Sequence, residues 1–312
     1  MLHPFTRCDL AIDLGTAATR LHASSRTVPL TRPSVVWRSG GARPALRQGV
    51  VIDTDAAADV LGDLVRKVGG SGWWRPRAIA CVPSDASEDE RNAVVDAVRR
   101  AGAGSVTVVA EPLAAAVGAG VALDEPRAHA LVDLGEGVTD CAVVRAGKVV
   151  RARALRVALA DLRDAVWRWV AESAGIRLSA VEAERVLREA GVGRGRATPQ
   201  RIHVVGSPES GTGPVRAWLE VDALHAALEP VLEEILEHVA GFVAGLPEEL
   251  ASEVAEAGVC LCGGGALLGG MAERLVGELK LAVWRAPDPL LAVVDGARAL
   301  SRAGRVPALA AR

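Results

Sequence analysis

The chain has 312 residues, enough for two domains at about 150 residues each. Half of its residues are apolar and 24% are charged, a composition that excludes a disordered chain. With 36 basic against 38 acidic side chains the net charge is −2, which provides no basic surface for nucleic acid. The longest unbroken apolar run, residues 112–123, holds 12 residues where a membrane span needs about 20. Residues 1–7 lack the apolar core of a signal peptide, so a cytoplasmic protein is expected. Five cysteines (Cys8, Cys81, Cys141, Cys260 and Cys262), an odd number, each stand beside strand-like residues and read as reduced core thiols. Cys260 and Cys262 lack a second Cys/His pair at ligand spacing, which argues against a metal there.

In chain order, residues 9–23 read as an apolar strand, a Gly-centred turn at Asp13-Leu14-Gly15-Thr16, and a second strand. Ala78–Pro83 is a buried strand. Ser84–Arg100 is a helix in which Ser87 and Glu90 have capping-box spacing, and Gly102 and Gly104 end it. A strand at Val106–Val109 leads into Glu111-Pro112, with proline in the first turn of another helix. Residues 129–144 then repeat the first hairpin, placing Asp133-Leu134-Gly135 120 residues after Asp13-Leu14-Gly15. Leu155–Ala174 and Ser179–Ala190 read as helices; Gly191–Pro214, rich in Gly, Pro, Arg and Ser, reads as a loop. Trp167 and Trp169 lie two apart on the first of these helices, so one of them should be exposed. Val221–Val243 is a long amphipathic helix and Pro247–Ala255 another. The strand Gly258–Cys262 runs into Gly263-Gly264-Gly265 and a helix from Ala266, and the helical tail Pro289–Ala303 should pack back on the first half. Two copies of one hairpin, each followed by strand, helix and strand, predict an α/β fold of two related lobes, each a mixed sheet with helices on its faces.

An Asp-Leu-Gly turn between strands has a chemical use. Glycine permits positive φ, successive backbone N–H groups line a concavity that binds phosphate, and the aspartate can hold a hydrated Mg²⁺. A single such turn is usually only a hairpin connection. Two of them across a cleft, with a strand-Gly-Gly-Gly-helix element for an anion or a flat base, favour a nucleotide site.

This combination resembles the actin and sugar-kinase superfamily and, within it, the bacterial actin MreB/Mbl family along nearly the whole chain. The matching pieces are Asp13-Leu-Gly-Thr-Ala-Ala-Thr19, Pro33-Ser-Val-Val36, Gly49-Val-Val-Ile52, Arg75-Pro-Arg77 with Val82-Pro-Ser84, residues 111–120, Asp133-Leu-Gly-Glu-Gly137, Ala183-Glu184 and Gly263-Gly-Gly-Ala-Leu-Leu268. The resemblance implies an actin-like (ribonuclease H-like) two-lobed fold. Its first lobe would be residues 1–128, its second 129–291, with an outer subdomain at about 166–223, and 292–312 would return to the first lobe. It implies ATP and Mg²⁺ between the lobes, with Asp13 and Asp133 at the metal and Glu111 activating the attacking water. Gly15, Thr16, Ala17, Gly135, Glu136, Gly137 and Thr139 would surround the phosphates; Glu184, Gly263, Gly264, Gly265, Ala266 and Leu267 would surround the adenosine. It also implies filaments of the protein itself, peripheral to the inner membrane, that help organise cell-wall synthesis and cell shape. By position Trp73 and Trp74, in a Gly- and Arg-rich loop, match the family's membrane-inserting loop. Packing of both rings on a lobe is the alternative.

The departures from the family pattern are local. Its small outer subdomain of the first lobe is reduced to an Arg- and Gly-rich link at about 37–48. In the second turn, where the family has a third glycine and two threonines, this chain has Glu136, Gly137, Val138 and Thr139. Val138 offers no hydroxyl for the attacking water, so slow hydrolysis is expected, and the Glu136 carboxylate either faces the phosphates or turns to solvent. Three residues after Glu184 the family's lysine is Leu187. A degenerate actin-fold scaffold that does not polymerise is the alternative reading. A sugar-kinase-like phosphotransferase is disfavoured because no acidic base is placed for a sugar hydroxyl.

Overall fold

The computed structural model describes residues 9–69, 75–122, 124–193, 199–208, 211 and 213–304. Its first half comprises β1 (Leu10–Leu14), β2 (Ala18–Ala23), β3 (Leu30–Pro33), the short hairpins β4 (Val35–Arg38) with β5 (Gly41–Pro44) and β6 (Leu46–Arg47) with β7 (Val50–Val51), α1 (Thr54–Lys67), β8 (Arg77–Val82), α2 (Glu88–Arg100), β9 (Ser105–Ala110) and α3 (Glu111–Gly118). The second half comprises β10 (His129–Leu134), β11 (Thr139–Arg145), β12 (Lys148–Leu155), α4 (Leu159–Ala174), β13 (Ile176–Arg177), α5 (Ala180–Ala190), β14 (Arg201–Pro208), β15 (Val215–Glu220), α6 (Val221–Ala244), α7 (Glu248–Ala257), β16 (Val259–Cys262), a 3₁₀ turn at Gly264–Leu267, α8 (Met271–Leu279), β17 (Val283–Arg285) and α9 (Ala292–Ala303).

The repeat in the sequence becomes a repeat in topology. One five-stranded sheet has the order β3-β2-β1-β8-β9, the other β12-β11-β10-β16-β17. In each, the hairpin strands pair antiparallel and the later strands join in parallel. Parallel strands need a crossover, and α2 and α8 stand before the last strand of their respective sheets. Strands β1, buried at every position, and β10, buried at all but His129, carry the apolar runs expected of a sheet covered on both faces, interrupted by Asp13 and Asp133 near their ends.

Two separate cores fill the outer faces of the two sheets, and a third lies between the sheets. The third core is built on α3 and α9, which pack against each other, with α9 also resting on β1, β2 and β8. Their backbones meet directly. A Cβ on Gly118 would stand 1.9 Å from the Ala292 carbonyl oxygen, and one on Gly296 1.7 Å from that of Ala114. Any side chain at either glycine would force the helices apart.

Local signals explain most element boundaries. Ser87 and Glu90 form the anticipated capping box, but at a helix that begins at Glu88, since Ser87 is its N-cap. The Gly191–Pro214 stretch, expected to be a loop, contains β14, which pairs with β13 and β15. Its signal is the alternation that buries Ile202 and Val204, masked in composition by the flanking Gly, Pro and Arg. The helix expected from Ala266 is a 3₁₀ turn, and the α-helix begins only at Met271, after Gly269 and Gly270. Neither Trp167 nor Trp169 is exposed: both are partly buried, because α4 has both α5 and α6 against it. The described cysteines are free and buried, as anticipated.

Candidate functional site

The turn Gly15–Ala17 between β1 and β2 and the turn Gly135–Val138 between β10 and β11 meet where the lobes face each other. A Cβ on Gly137 would stand 2.8 Å from Thr16 Oγ1 and 2.7 Å from Gln48 Cα, so the bare backbone of the second turn abuts the first lobe. Thr16 Oγ1 accepts the Gly49 N–H at 2.9 Å, anchoring the first turn to the β6–β7 hairpin. Val138, between Gly137 and the sheet, is buried, and a Cβ on Gly49 would stand 2.7 Å from its Cγ2. The Val138 side chain packs across the lobe boundary. Thr139 is not brought into this cleft: it is fully buried, and its hydroxyl donates to the Val157 carbonyl at 2.7 Å.

Carboxyl groups converge beside the turns. Asp13 and Asp133 are the penultimate residues of β1 and β10, and Glu111 opens α3, where Pro112 suits the first helical turn. Burial raises the Asp13 carboxyl, while the Arg20 guanidinium, 2.9 Å from Oδ2, opposes that rise. Burial, then the charges of Asp13 and Asp140, push Asp133 up to about 7; Arg20 draws it down. Glu111 is held well above the ordinary range by burial and then by Asp13, Asp133, Asp140 and Asp85. Asp140 rises to about 6 by burial, although it accepts the Ser84 N–H at 2.7 Å and the Ser84 hydroxyl at 2.5 Å. Carboxyls here outnumber the guanidinium groups of Arg20 and Arg156 that oppose their raised pKa values, an environment that favours a bound proton or a cation. Among the described residues no three His, Cys, Asp or Glu side chains stand close enough to hold a metal between them. A Mg²⁺ here would therefore be held through water and ligand oxygens as well as carboxylate, which suits that ion.

On the opposite side, Gly263 follows β16 with φ +76°, and a Cβ there would lie 2.4 Å from both Asp133 Oδ1 and the Leu134 carbonyl oxygen. Only glycine satisfies both the angle and the contact. Gly265 lies against the Leu134 side chain, Gly264 faces Leu159, Ala266 is buried, and Leu267 is exposed. Glu184, on α5, pairs with Arg188 at 2.5 Å and lies 3.6 Å from Arg163 Nη1. The same Arg163 nitrogen is 2.5 Å from Glu136 Oε1. Glu136 thus takes neither expected course, because a guanidinium on α4 holds it beside Glu184. Trp73 and Trp74 lie outside the described residues.

The family model for MreB/Mbl protein matches residues 41–306. The chain belongs to the MreB/Mbl family. It is 31% identical over 317 residues to the cell shape-determining protein MreB of Escherichia coli strain K12, covering 92% of this chain and 91% of that protein. Against the cell shape-determining protein Mbl of Bacillus subtilis it is 26% identical, covering 92% and 94%. Among solved structures, MreB 5 of Spiroplasma citri bound to AMPPNP superposes with a TM-score of 0.88 at 24% identity over 97% of this chain and 98% of that one. The MamK double helical filament gives 0.80 at 20% identity over 95% and 99%. The fold is therefore actin-like, and the hairpins β4–β5 and β6–β7 stand in its first half between β3 and α1.

For this MreB/Mbl chain, sequence reasoning missed the side chains that join the lobes. Arg156 Nη2 contacts Asp85 Oδ1 at 3.0 Å and Glu90 at 3.3 Å, and Arg156 Nη1 donates to the Gln48 carbonyl at 2.7 Å. Gln48 returns a bond from Nε2 to the Arg156 carbonyl at 2.9 Å. Asp140 with Ser84 is a second tie. Nothing local marks Arg156, but Arg20 and Asp140 were accessible from the repeat, as each is the cross-strand partner of its hairpin's aspartate.

Proposed function

We propose that the chain binds ATP between its lobes, self-associates into actin-like filaments against the inner face of the membrane, and helps organise cell-wall synthesis. The observation that carries this reading is the convergence of two Gly turns on a cluster of Asp13, Asp133 and Glu111. The turns offer backbone N–H groups to phosphates, and the carboxylates suit a hydrated Mg²⁺ whose charge would screen the phosphates. Gly263–Leu267 and Glu184 are the proposed adenosine side. A nucleotide analogue bound to MreB 5 and the filament formed by MamK support the same reading by kinship. No helix among the described residues is long and apolar enough to cross a membrane, so contact with lipid would be peripheral and is assigned to Trp73 and Trp74.

Hydrolysis should be slow. Val138 brings an isopropyl group where a positioned hydroxyl would assist, a loss that typically costs on the order of 10²-fold or more in rate. Glu111 sits deep in the negative cluster and is the group that would accept a proton from the attacking water. A non-polymerising scaffold is the second reading, favoured by the small outer part of the first lobe, which limits the area for contacts along a strand. Electron microscopy of the protein with ATP and Mg²⁺ on anionic lipid separates them: filaments are expected, and a monodisperse monomer at high concentration would support the scaffold. Trp73→Ala with Trp74→Ala should abolish liposome binding and leave the fold intact.

A further inference from the structure

Arg20 faces Asp13 across the β1–β2 ladder, with Nη1 2.9 Å from Asp13 Oδ2. The same nitrogen lies 3.9 Å from where a Cβ on Gly15 would stand, so the guanidinium covers the first Gly turn. Its charge also reaches Asp133 on the other lobe. The side chain is only 16% exposed, which keeps this charge weakly screened. The matching position of the second hairpin is Asp140, which stands opposite Asp133 and adds negative charge.

Five carboxyls, Asp13, Asp85, Glu111, Asp133 and Asp140, act on one another here, and such a cluster repels a polyphosphate unless positive charge is supplied. A divalent cation is one source. Arg20 is another, built into the chain: a guanidinium presents five N–H donors in a planar fork matched to phosphate, and one of them is given to Asp13. Resting on the reading of the cleft as a nucleotide site, we propose that Arg20 binds phosphate there and supplies part of the charge that a divalent cation would bring. A nucleoside di- or triphosphate then binds with weak dependence on divalent metal.

The test is calorimetric titration of the whole protein with ADP, in Mg²⁺ and in excess EDTA, for the wild type, Arg20→Gln and Arg20→Lys. Glutamine is neutral but keeps a donor for Asp13, and lysine keeps the charge; thermal melts check that each variant folds. The wild type should lose less than about tenfold in affinity on removing Mg²⁺. Arg20→Gln should lose a further 10- to 100-fold or so in EDTA, the worth of a charge-assisted hydrogen bond, and much less in Mg²⁺. Arg20→Lys should fall between them. Binding by the wild type in Mg²⁺ that collapses in EDTA, or an Arg20→Gln variant with the wild-type ratio, overturns the role of Arg20 while leaving nucleotide binding intact. Absence of binding by the wild type in both buffers overturns the nucleotide site itself and this inference with it.

Discussion

The two hairpins are copies in topology and opposites in charge. In each, a Leu-Gly turn follows a buried aspartate, and in each the register sets the seventh residue after that aspartate directly opposite it. In the first hairpin that residue is Arg20, which pairs with Asp13; in the second it is Asp140, which repels Asp133. The second hairpin is further loaded by Gly263, whose backbone runs against the Asp133 carboxylate. The lesson is that duplication copies a backbone, while the charge of the site is set by one side chain per copy. The first lobe carries its own counter-ion and the second awaits one.

The largest expected effect contrasts glycines beside the two aspartates. Gly263→Ala adds a Cβ at a positive φ and 2.4 Å from a backbone oxygen, and should cost about 3 kcal/mol or more in urea unfolding. Gly15→Ala meets the Ala18 carbonyl oxygen at 2.9 Å and should cost about half as much. Equal losses would show that the backbone beside Asp133 is no tighter than the turn beside Asp13.

Next come the aspartates themselves. Asp133 titrates near 7 in the fold against an ordinary 3.8, so the folded state holds the extra proton between those values. Stability contributed by this group therefore falls as pH rises through that window, and the full penalty stands above pH 7. Asp133→Asn should stabilise the nucleotide-free protein by on the order of 2 kcal/mol at pH 8, and by almost nothing near pH 4. Asp13→Asn should destabilise at pH 8, by about 1–3 kcal/mol, because Arg20 is left without its carboxylate. Thermal melts across pH decide; the same sign for both variants would erase the contrast.

The smallest effect concerns the ties between the lobes. Arg156→Ala removes contacts to Asp85, Glu90 and Gln48, but the pairs are partly solvated, and stability should drop by about 1 kcal/mol or less. Opening should respond more than unfolding does. Amide hydrogen exchange is expected to quicken at residues 84–90 and 135–138 while the β1 and β10 amides stay protected; unchanged exchange would mean that Asp140 with Ser84 suffices to hold the lobes together.

Much of the site was readable from short-range pattern. The strands with Asp13 and Asp133 near their ends, the turns after them, the capping box at Ser87 and the Gly run after Cys262 are local signals, and their physical causes act over a few residues. What escaped was either masked by composition, as β14 was, or non-local, as with the Arg163 bridge between Glu136 and Glu184. Thr139 shows the limit from the other side. Its type suited phosphate, yet its hydroxyl is spent on Val157, a partner 18 residues away that no spacing rule identifies.

By itself the sequence determined two related lobes, the aspartate near the end of each leading strand and the glycines that bare the backbone beside them, because strand periodicity and glycine's lack of a side chain are properties of the local chain. Tertiary structure alone decided which charges meet. Glu136 turning to Arg163, Arg156 bridging to Asp85, and α3 crossing α9 at Gly118 and Gly296 each join residues far apart in the chain, and Coulomb and packing forces depend on distance in space.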